Sequence, residues 1–137
     1  MAEVVRPSQG LIDTSVVIDL DRIDAASLPL ELAVSALTMA ELAAGPHATT
    51  DSAERARRQD RLQRAEATFD PLPFDDDCAR AYGRVYAAIL AIGRKARGPR
   101  AVDLLIAATA LAADLRLYTR NVADFRGIEH LLTIVGV

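Results

Sequence analysis

The stretch LIDTSVVIDL, residues 11–20, places a carboxylate between two apolar segments. We predict a short buried strand over residues 10–13 and a helix from Thr14 onwards, whose first apolar face comes from VVIDL. Asp13 then lies at the end of the strand, on the border of the core. Because an unpaired buried carboxylate is strongly disfavoured, Asp13 needs a counter-charge in the folded protein.

Three more acidic residues lie within or beside apolar segments that are predicted to form the core. They are Glu41 in SALTMAELAAG (35–45), Asp103 in RAVDLLIAATAL (100–111) and Asp124 in LYTRNVADF (117–125). If the four acids converge in the fold, divalent cations are their natural partner, since carboxylate oxygens suit Mg²⁺ and Mn²⁺. Such a site indicates metal-assisted phosphodiester chemistry, in which a bound cation activates water and stabilises the leaving oxygen.

Strands and helices alternate along the chain. Strands are predicted over residues 10–13, 32–37, 72–74, 117–119 and 131–135, and helices from residue 14 and over 39–44, 51–69, 75–93 and 102–113. This alternation favours an α/β fold with a mainly parallel sheet and helices on both faces. Ligands of such folds bind beyond the carboxyl ends of the strands, so all four acids can face one edge of the sheet.

Local signals set the ends of two predicted helices. Thr38 is the predicted N-cap of the second helix, Glu41 is the acid of its capping box, and Gly45-Pro46 ends it. The three aspartates at 75–77 are predicted to cap the fourth helix. Its buried stripe is predicted at positions 79, 82, 86, 89 and 93.

Each acid taken alone also has a structural explanation. Asp13 can N-cap the first helix, and Glu41 can close the capping box. Asp103, in the first turn of its predicted helix, can meet the helix dipole, and Asp124 can shape a turn. Their joint placement favours a metal site, because carboxylates at one edge repel one another and bound cations remove that cost.

The composition narrows the class of protein further. A chain of 137 residues that is 51% hydrophobic is expected to form one domain over residues 1–137 with an aliphatic core. The single cysteine, Cys78, excludes an internal disulfide and fits a reducing cytoplasm. Residues 1–10 show no export signal and the longest apolar run, 104–113, is half of a membrane span, so we expect a cytoplasmic protein outside the membrane. The net charge of −3 argues against a plain nucleic-acid-binding module.

At these four acidic segments the sequence resembles the PIN-domain ribonucleases, specifically the VapC-type toxins of bacterial type II toxin–antitoxin pairs. The resemblance covers nearly the whole chain and depends on LIDTSVVIDL, LTMAELAAG, GRKARGPRAVDLLIAATAL and LYTRNVADF in that order. It implies a three-layer α/β/α sandwich and endonucleolytic cleavage of RNA with Mg²⁺ or Mn²⁺. It also implies a cognate antitoxin that blocks the site, and a homodimer. Tyr82 and Tyr86 belong either to that dimer surface or to the core.

The resemblance assigns roles to residues by position. Asp13 and Asp103 match the most secure metal ligands of the family, and Glu41 matches its second acid. Either Thr14 or Ser15 supplies the hydroxyl that orients a ligand or a water.

The fourth acid departs from the family pattern. Relatives often carry an acid where this chain has Asn121. Either Asp124, three residues later, supplies that charge, or the site holds three acids and the amide of Asn121 as a supporting group. Thr119 is a lesser candidate for a contact with substrate or water.

Two basic segments have different interpretations. A run without acids lies just upstream of Asp103, and it either holds RNA phosphates beside the acidic site or forms a flexible solvated loop. Its members are Arg94, Lys95, Arg97 and Arg100. The arginines between positions 55 and 64 alternate with acids and indicate a solvated helix surface.

Two other functions remain open from the sequence. A phosphatase or receiver-like domain built around Asp13 fits less well, because Thr14 and Ser15 follow it and no acid stands two residues on. The second alternative is a non-catalytic PIN fold that binds RNA or protein. Asn121, at a position where relatives often carry an acid, keeps this alternative open.

Overall fold

The computed structural model describes residues 6–137, whose backbone forms a four-stranded, all-parallel sheet. The strands are β1 (Gln9–Ile12), β2 (Glu31–Ala33), β3 (Leu117–Thr119) and β4 (Ile134–Gly136), and their order in the sheet is β2-β1-β3-β4. The helices are α1 (Thr14–Ile18), α2 (Ala36–Ala44), α3 (Ser52–Thr68), α4 (Asp76–Ala91) and α5 (Pro99–Ala112). The predicted α/β class with a parallel sheet is confirmed.

The sheet separates two cores, because neighbouring residues of a strand point to opposite faces. Leu11 of β1 and Leu117 of β3 pack with buried residues of α4 and α5. Ile12 and Tyr118, the next residue of each strand, pack with buried residues of α1, α2 and α3. The molecule therefore has three layers, with α4 and α5 on one side of the sheet and α1, α2 and α3 on the other.

The helix α2 begins earlier than predicted. Its N-cap is Ser35, whose Oγ accepts a hydrogen bond from the backbone N–H of Thr38 at 3.1 Å. Thr38 is therefore not the cap but lies in the first turn, and Glu41, six residues beyond Ser35, cannot form the predicted capping box. The predicted strand over 32–37 ends at Ala33 for the same reason, since the serine hydroxyl starts the helix where the chain leaves the sheet.

Two predicted strands differ from the observed ones. At 72–74 there is only an isolated bridge between Leu72 and Ser35, because the prolines that flank Leu72 have no N–H to donate to a ladder. β4 begins at Ile134, three residues later than predicted. The chain before it is a turn, in which the N–H groups of residues 131 and 132 donate to the carbonyl of Ile128.

The helix α4 begins as predicted but buries a different stripe. Asp75 is its N-cap and accepts the N–H of Cys78 at 3.0 Å. The buried stripe consists of Cys78, Ala81, Val85 and Ile89. Tyr86, predicted to be buried, is 41% exposed. Both stripes have helical spacing, so periodicity alone does not choose between them.

Part of the arginine-rich face of α3 is structural rather than solvated. Arg55 donates from Nε to the carbonyl of Pro46 at 3.1 Å. Arg58 donates from Nη1 to the carbonyl of Gly45 at 2.9 Å. The two guanidinium groups therefore hold the 3-10 turn Gly45–Ala48, which follows the end of α2, against α3.

Within residues 6–137, no helix combines the length and the apolar character that crossing a membrane requires. Residues 1–5, on which the export-signal prediction partly rests, lie outside the part of the chain that the structure describes.

Candidate active site

The candidate site lies where the carboxyl ends of β1 and β3 meet. The two strands are parallel neighbours, with Ile12 in register with Tyr118. Asp13 directly follows β1, and its N–H donates to the carbonyl of Tyr118 at 3.0 Å. Parallel strands thus bring Asp13 beside Thr119 and the chain that follows it, at the edge where ligands of such folds bind.

Asp13 is buried and held in one orientation. Its side chain is the N-cap of α1, with Oδ1 accepting the N–H of Val16 at 3.1 Å and the hydroxyl of Ser15 at 2.5 Å. The Ser15 hydroxyl oxygen in turn accepts the N–H of Arg120 at 3.0 Å. Ser15 therefore links the carboxylate to the end of β3. Asp13 thus caps α1, which was its structural interpretation in the sequence. Its second carboxylate oxygen is not used for that cap.

Glu41 reaches the same region from α2. Its Oε1 accepts a hydrogen bond from Thr14 at 2.6 Å, and the Thr14 hydroxyl also lies 3.1 Å from the hydroxyl of Thr38. Glu41 is exposed, whereas Thr38 is fully buried. The first residue of α1 thus orients the acid of α2, and the predicted role of Thr14 as a supporting hydroxyl is compatible with this contact.

The pKa of Asp103 is raised by its surroundings in the site. It is partly buried in the second turn of α5, so the predicted interaction with the first turn of a helix does not occur. Burial raises the pKa of Asp103, and the negative charges of Asp124, Glu41 and Asp13, in that order, raise it further, to about 6. Arg100 opposes this shift. The other three acids therefore all lie within electrostatic range of Asp103.

Asp124 and Asn121 occupy different positions in the segment after β3. Asp124 lies in the 3-10 turn Val122–Phe125 and is the carboxylate whose charge affects the pKa of Asp103 most. Asn121 precedes this turn with an exposed side chain, and its N–H donates to the hydroxyl of the buried Thr119 at 3.0 Å. Thr119 thus shapes the backbone of this turn.

The chemistry of these donors fits a hard divalent cation, whose preferred ligands are carboxylate oxygens. The four acids are widely spaced. Among residues 6–137, no three His, Cys, Asp or Glu side chains lie close enough together to enclose a metal ion. Burial raises the pKa of Asp103 most, and repulsion by the other three carboxylates raises it further. A cation at this edge would relieve that repulsion.

The predicted basic run is anchored at its first residue, Arg94. Arg94 donates from Nη1 to the carbonyls of Ala123 and Arg126, at 3.2 and 2.8 Å, and Ala96 is buried. Arg94 is thereby tied to the turn that carries Asp124. Arg100 belongs to the first turn of α5 rather than to the loop. Lys95 and Arg97 lie between these points with exposed side chains.

Two residues near the site were not predicted as part of it. Thr38 was interpreted as a helix cap, although a hydroxyl one helical turn before Glu41 lies on the same face of the helix. Arg120 directly follows β3, and its Nε lies 3.3 Å from Oδ2 of Asp19. The sequence signal for Arg120 was a positively charged side chain directly after a strand whose end lies among acids.

Comparison with known proteins agrees with this geometry. The sequence model of the PIN domain matches residues 11–130. Ribonuclease VapC5 of Mycobacterium tuberculosis is 34% identical over 126 residues, which is 90% of either chain. Ribonuclease VapC8 of the same species is 40% identical over 102 residues, 74% of this chain and 89% of that protein.

Solved structures are similar over the whole fold. The VapBC-5 structure from Mycobacterium tuberculosis, a member of the VapBC toxin–antitoxin family, superposes with a TM-score of 0.84 at 34% identity, covering 96% of this chain and all of that one (100%). The VapBC2 structure from Rickettsia felis has a TM-score of 0.73 at 20% identity and covers 94% of this chain and 98% of that one, which supports the fold alone.

A parallel sheet with acids gathered at its carboxyl edge, together with the match over residues 11–130, defines a PIN domain. Over most of its length the chain is also similar to curated VapC ribonucleases. The chain therefore belongs to the PIN-domain family, as a VapC-type ribonuclease.

Proposed function

We propose that this chain is the toxin of a toxin–antitoxin pair, an endoribonuclease that cleaves RNA phosphodiester bonds with Mg²⁺ or Mn²⁺ and is blocked by a cognate antitoxin. The observation that carries the proposal is the gathering of three carboxylates around the partly buried Asp103, whose pKa is raised to about 6 by that burial first and by their negative charges second. A cluster of acids is unfavourable unless it binds a cation, and unfavourable electrostatics of this kind are typical of functional sites.

The residues have distinct roles in this proposal. Asp13 would be a rigid ligand, because Ser15 and the N–H of Val16 fix one carboxylate oxygen and leave the other available. Asp103 would be a second ligand, largely ionised at pH 7 with a pKa of about 6. When bound, the cation would supply an activated water and stabilise the charge of the leaving oxygen. Glu41 and Asp124 would complete the ligand set or hold a metal-bound water.

The substrate would meet basic groups beside this edge. Arg94 already donates to two backbone carbonyls, so we assign phosphate contacts to Lys95, Arg97 and Arg100. Arg100 lies close enough to Asp103 to affect its pKa, which supports a guanidinium group beside the proposed cleavage position. Contacts of this kind would make RNA binding weaken as the salt concentration rises.

Cleavage of RNA with and without metal tests the activity. Antitoxin-free protein incubated with total bacterial RNA should give discrete fragments in Mn²⁺ and none in EDTA, because the proposed mechanism requires the cation to activate water and to stabilise the leaving oxygen. RNA that is bound equally well in EDTA and never cut would instead support a non-catalytic binding module.

A groove beside the site is the surface that we assign to the antitoxin. It has a volume of about 540 Å³ and lies between the end of α1, the 3-10 turn Leu20–Arg22 and α3. Ile18 and Phe69 give it an apolar lining, Arg61 and Arg64 add positive charge, and Asp21, 4.0 Å from Arg64, adds negative charge. An antitoxin segment with apolar side chains flanked by charges of both signs would match this lining. Asp19, the partner of Arg120, also lines the groove and connects it to the site.

Replacing Ile18 by glutamate should weaken antitoxin binding without affecting RNA cleavage. Ile18 is 46% exposed, so the substitution should leave the fold intact while placing an unpaired charge in the groove. Loss of a buried apolar contact at an interface costs about 1–2 kcal/mol or more, so we expect the dissociation constant to rise at least about tenfold. Calorimetry with the cognate antitoxin measures this, and Ile92→Glu, at 47% exposure in the residue that follows α4, is the matched control. Equal antitoxin affinity of the two variants would contradict the assignment.

A second copy of the chain is the partner that we assign to α4. Tyr86 and Leu90 lie one turn apart and are exposed, and Tyr82 contributes a ring whose centroid is 6.0 Å from that of Tyr86. Apolar side chains grouped on one face of a helix are typical of interaction surfaces. Tyr82 packs partly against the core, but Tyr86 and Leu90 lie outside the buried stripe of α4, so packing of the core does not account for those two.

A further inference from the structure

Thr38 is a buried polar residue that the proposed mechanism does not use. It is 0% exposed, although it lies in the first turn of α2, only one turn from the exposed Glu41. Its N–H is used by Ser35, which leaves the role of its hydroxyl to be explained. That hydroxyl lies 3.1 Å from the hydroxyl of Thr14.

The direction of the hydrogen bonds follows from counting protons. The Thr14 hydroxyl has one proton, and the 2.6 Å contact with Oε1 of Glu41 requires it, because an ionised carboxylate can only accept. The contact between Thr14 and Thr38 must therefore use the proton of Thr38. The result is a series of hydrogen bonds in which Thr38 donates to Thr14 and Thr14 donates to Glu41.

This series of hydrogen bonds restricts the side chain of Glu41. A glutamate on the surface of a helix has several rotamers, and ordering it has an entropic cost. Hydrogen bonds in series strengthen one another, and the bond to a charged acceptor is the strongest of them. A Thr14 hydroxyl that accepts from Thr38 has its own proton directed at Glu41, so the carboxylate is kept in one place.

We propose that Thr38 is a positioning residue, which orients Glu41 for a divalent cation through the hydroxyl of Thr14. This inference rests on the proposed function, because it assumes that Glu41 serves the metal site. Residues that orient metal ligands typically change metal affinity by about 10–100-fold when they are replaced. Thr38 touches neither the cation nor the substrate in this arrangement.

Thr38→Val tests the inference, because valine keeps the shape of threonine and removes only the hydroxyl. We expect the Mn²⁺ dissociation constant of the antitoxin-free protein, measured by calorimetry and by the electron paramagnetic resonance of free Mn²⁺, to rise about tenfold. Thr38→Ser, which keeps the hydroxyl, should retain most of the wild-type affinity. Thr109→Val is the matched control, since Thr109 is equally buried and its hydroxyl donates to the carbonyl of Leu105 instead.

The same substitution in a Glu41→Gln background separates positioning from a general structural effect. If Thr38 acts through Glu41, Thr38→Val should change the Mn²⁺ affinity of the Glu41→Gln protein less than about twofold. A tenfold loss in both backgrounds, or wild-type affinity in the single variant, would overturn the inference. Thr38→Ala carries the same expectation should the valine variant not fold. Wild-type protein that binds no Mn²⁺ would instead refute the proposed function.

Discussion

Replacing Asp103 by asparagine is expected to abolish RNA cleavage and, at the same time, to stabilise the metal-free protein. Asparagine keeps the size of the side chain and removes the charge that the cation requires. Replacement of groups that only orient metal ligands costs about 10–100-fold, so loss of a ligand itself should lower the cleavage rate by more than about 10²-fold. Cleavage by wild-type and variant protein at saturating Mn²⁺ measures this effect.

The gain in stability follows from the direction of the pKa shift. The pKa of Asp103 is raised from 3.8 to about 6 in the folded protein, so its ionisation favours the unfolded chain. Its contribution is absent at low pH, where both states are protonated, and stability is lost as the pH rises from about 4 to above 6. The asparagine variant lacks this loss, so in EDTA at pH 7 its Tm should be higher by a few degrees.

The pH dependence provides the control for this prediction. The difference in Tm between variant and wild type, measured in EDTA, should be small at pH 4 and should grow through pH 6. Calorimetric scans of both proteins at several pH values separate the contribution of Asp103 from those of other groups. A variant that cleaves RNA as fast as wild type would refute the role of Asp103, and one that is less stable at pH 7 would refute the electrostatic account.

Replacing Asp124 by asparagine should reduce cleavage more than replacing Asn121 by alanine. Of the neighbouring carboxylates, Asp124 has the largest effect on the pKa of Asp103, whereas Asn121 carries no charge and contributes its backbone to the turn. We expect Asp124→Asn to lower the cleavage rate by at least about tenfold, in the range found for groups that assist metal ligands. Asn121→Ala should lower it less than about threefold, since its backbone hydrogen bonds remain.

A direct readout of the same substitution is the titration of Asp103. Removing the charge of Asp124 should lower the pKa of Asp103 from about 6 towards its ordinary value, because the largest repulsive charge is gone. Carboxyl ¹³C chemical shifts followed over pH measure this pKa in the metal-free protein. An unchanged pKa together with unchanged cleavage would mean that Asp124 only shapes the turn.

The fold and the general position of the site follow from local sequence signals. LIDTSVVIDL combines a buried strand with a helix cap at Asp13, and both features lie where they are predicted. The alternation of strands and helices then places the acids at one edge of the sheet. What the sequence does not specify is the choice between nearly equivalent signals. Ser35 and Thr38 are both possible helix caps, and the serine caps the helix because it stands where the chain leaves the sheet.

Contacts between distant parts of the chain account for the remaining differences. The sequence leaves the basic run as either an RNA-binding loop or a solvated one, whereas in the structure Arg94 donates to carbonyls about thirty residues away. The stripe that α4 buries depends on how the helix is rotated against α5 and the sheet, which its own spacing cannot determine. The series of hydrogen bonds from Thr38 through Thr14 to Glu41 likewise joins residues of two helices, so no local pattern reveals it.

The acids come from distant parts of the chain, which has a consequence for the linkage between metal binding and folding. Asp13 and Glu41 precede α3, whereas Asp103 and Asp124 follow α4. The acids of the two parts meet only when β3, which leads into the turn that carries Asp124, is paired with β1 in the sheet. A cation held by acids from both parts would therefore bind the folded chain and not the unfolded one, and it would stabilise the whole fold rather than one segment of it.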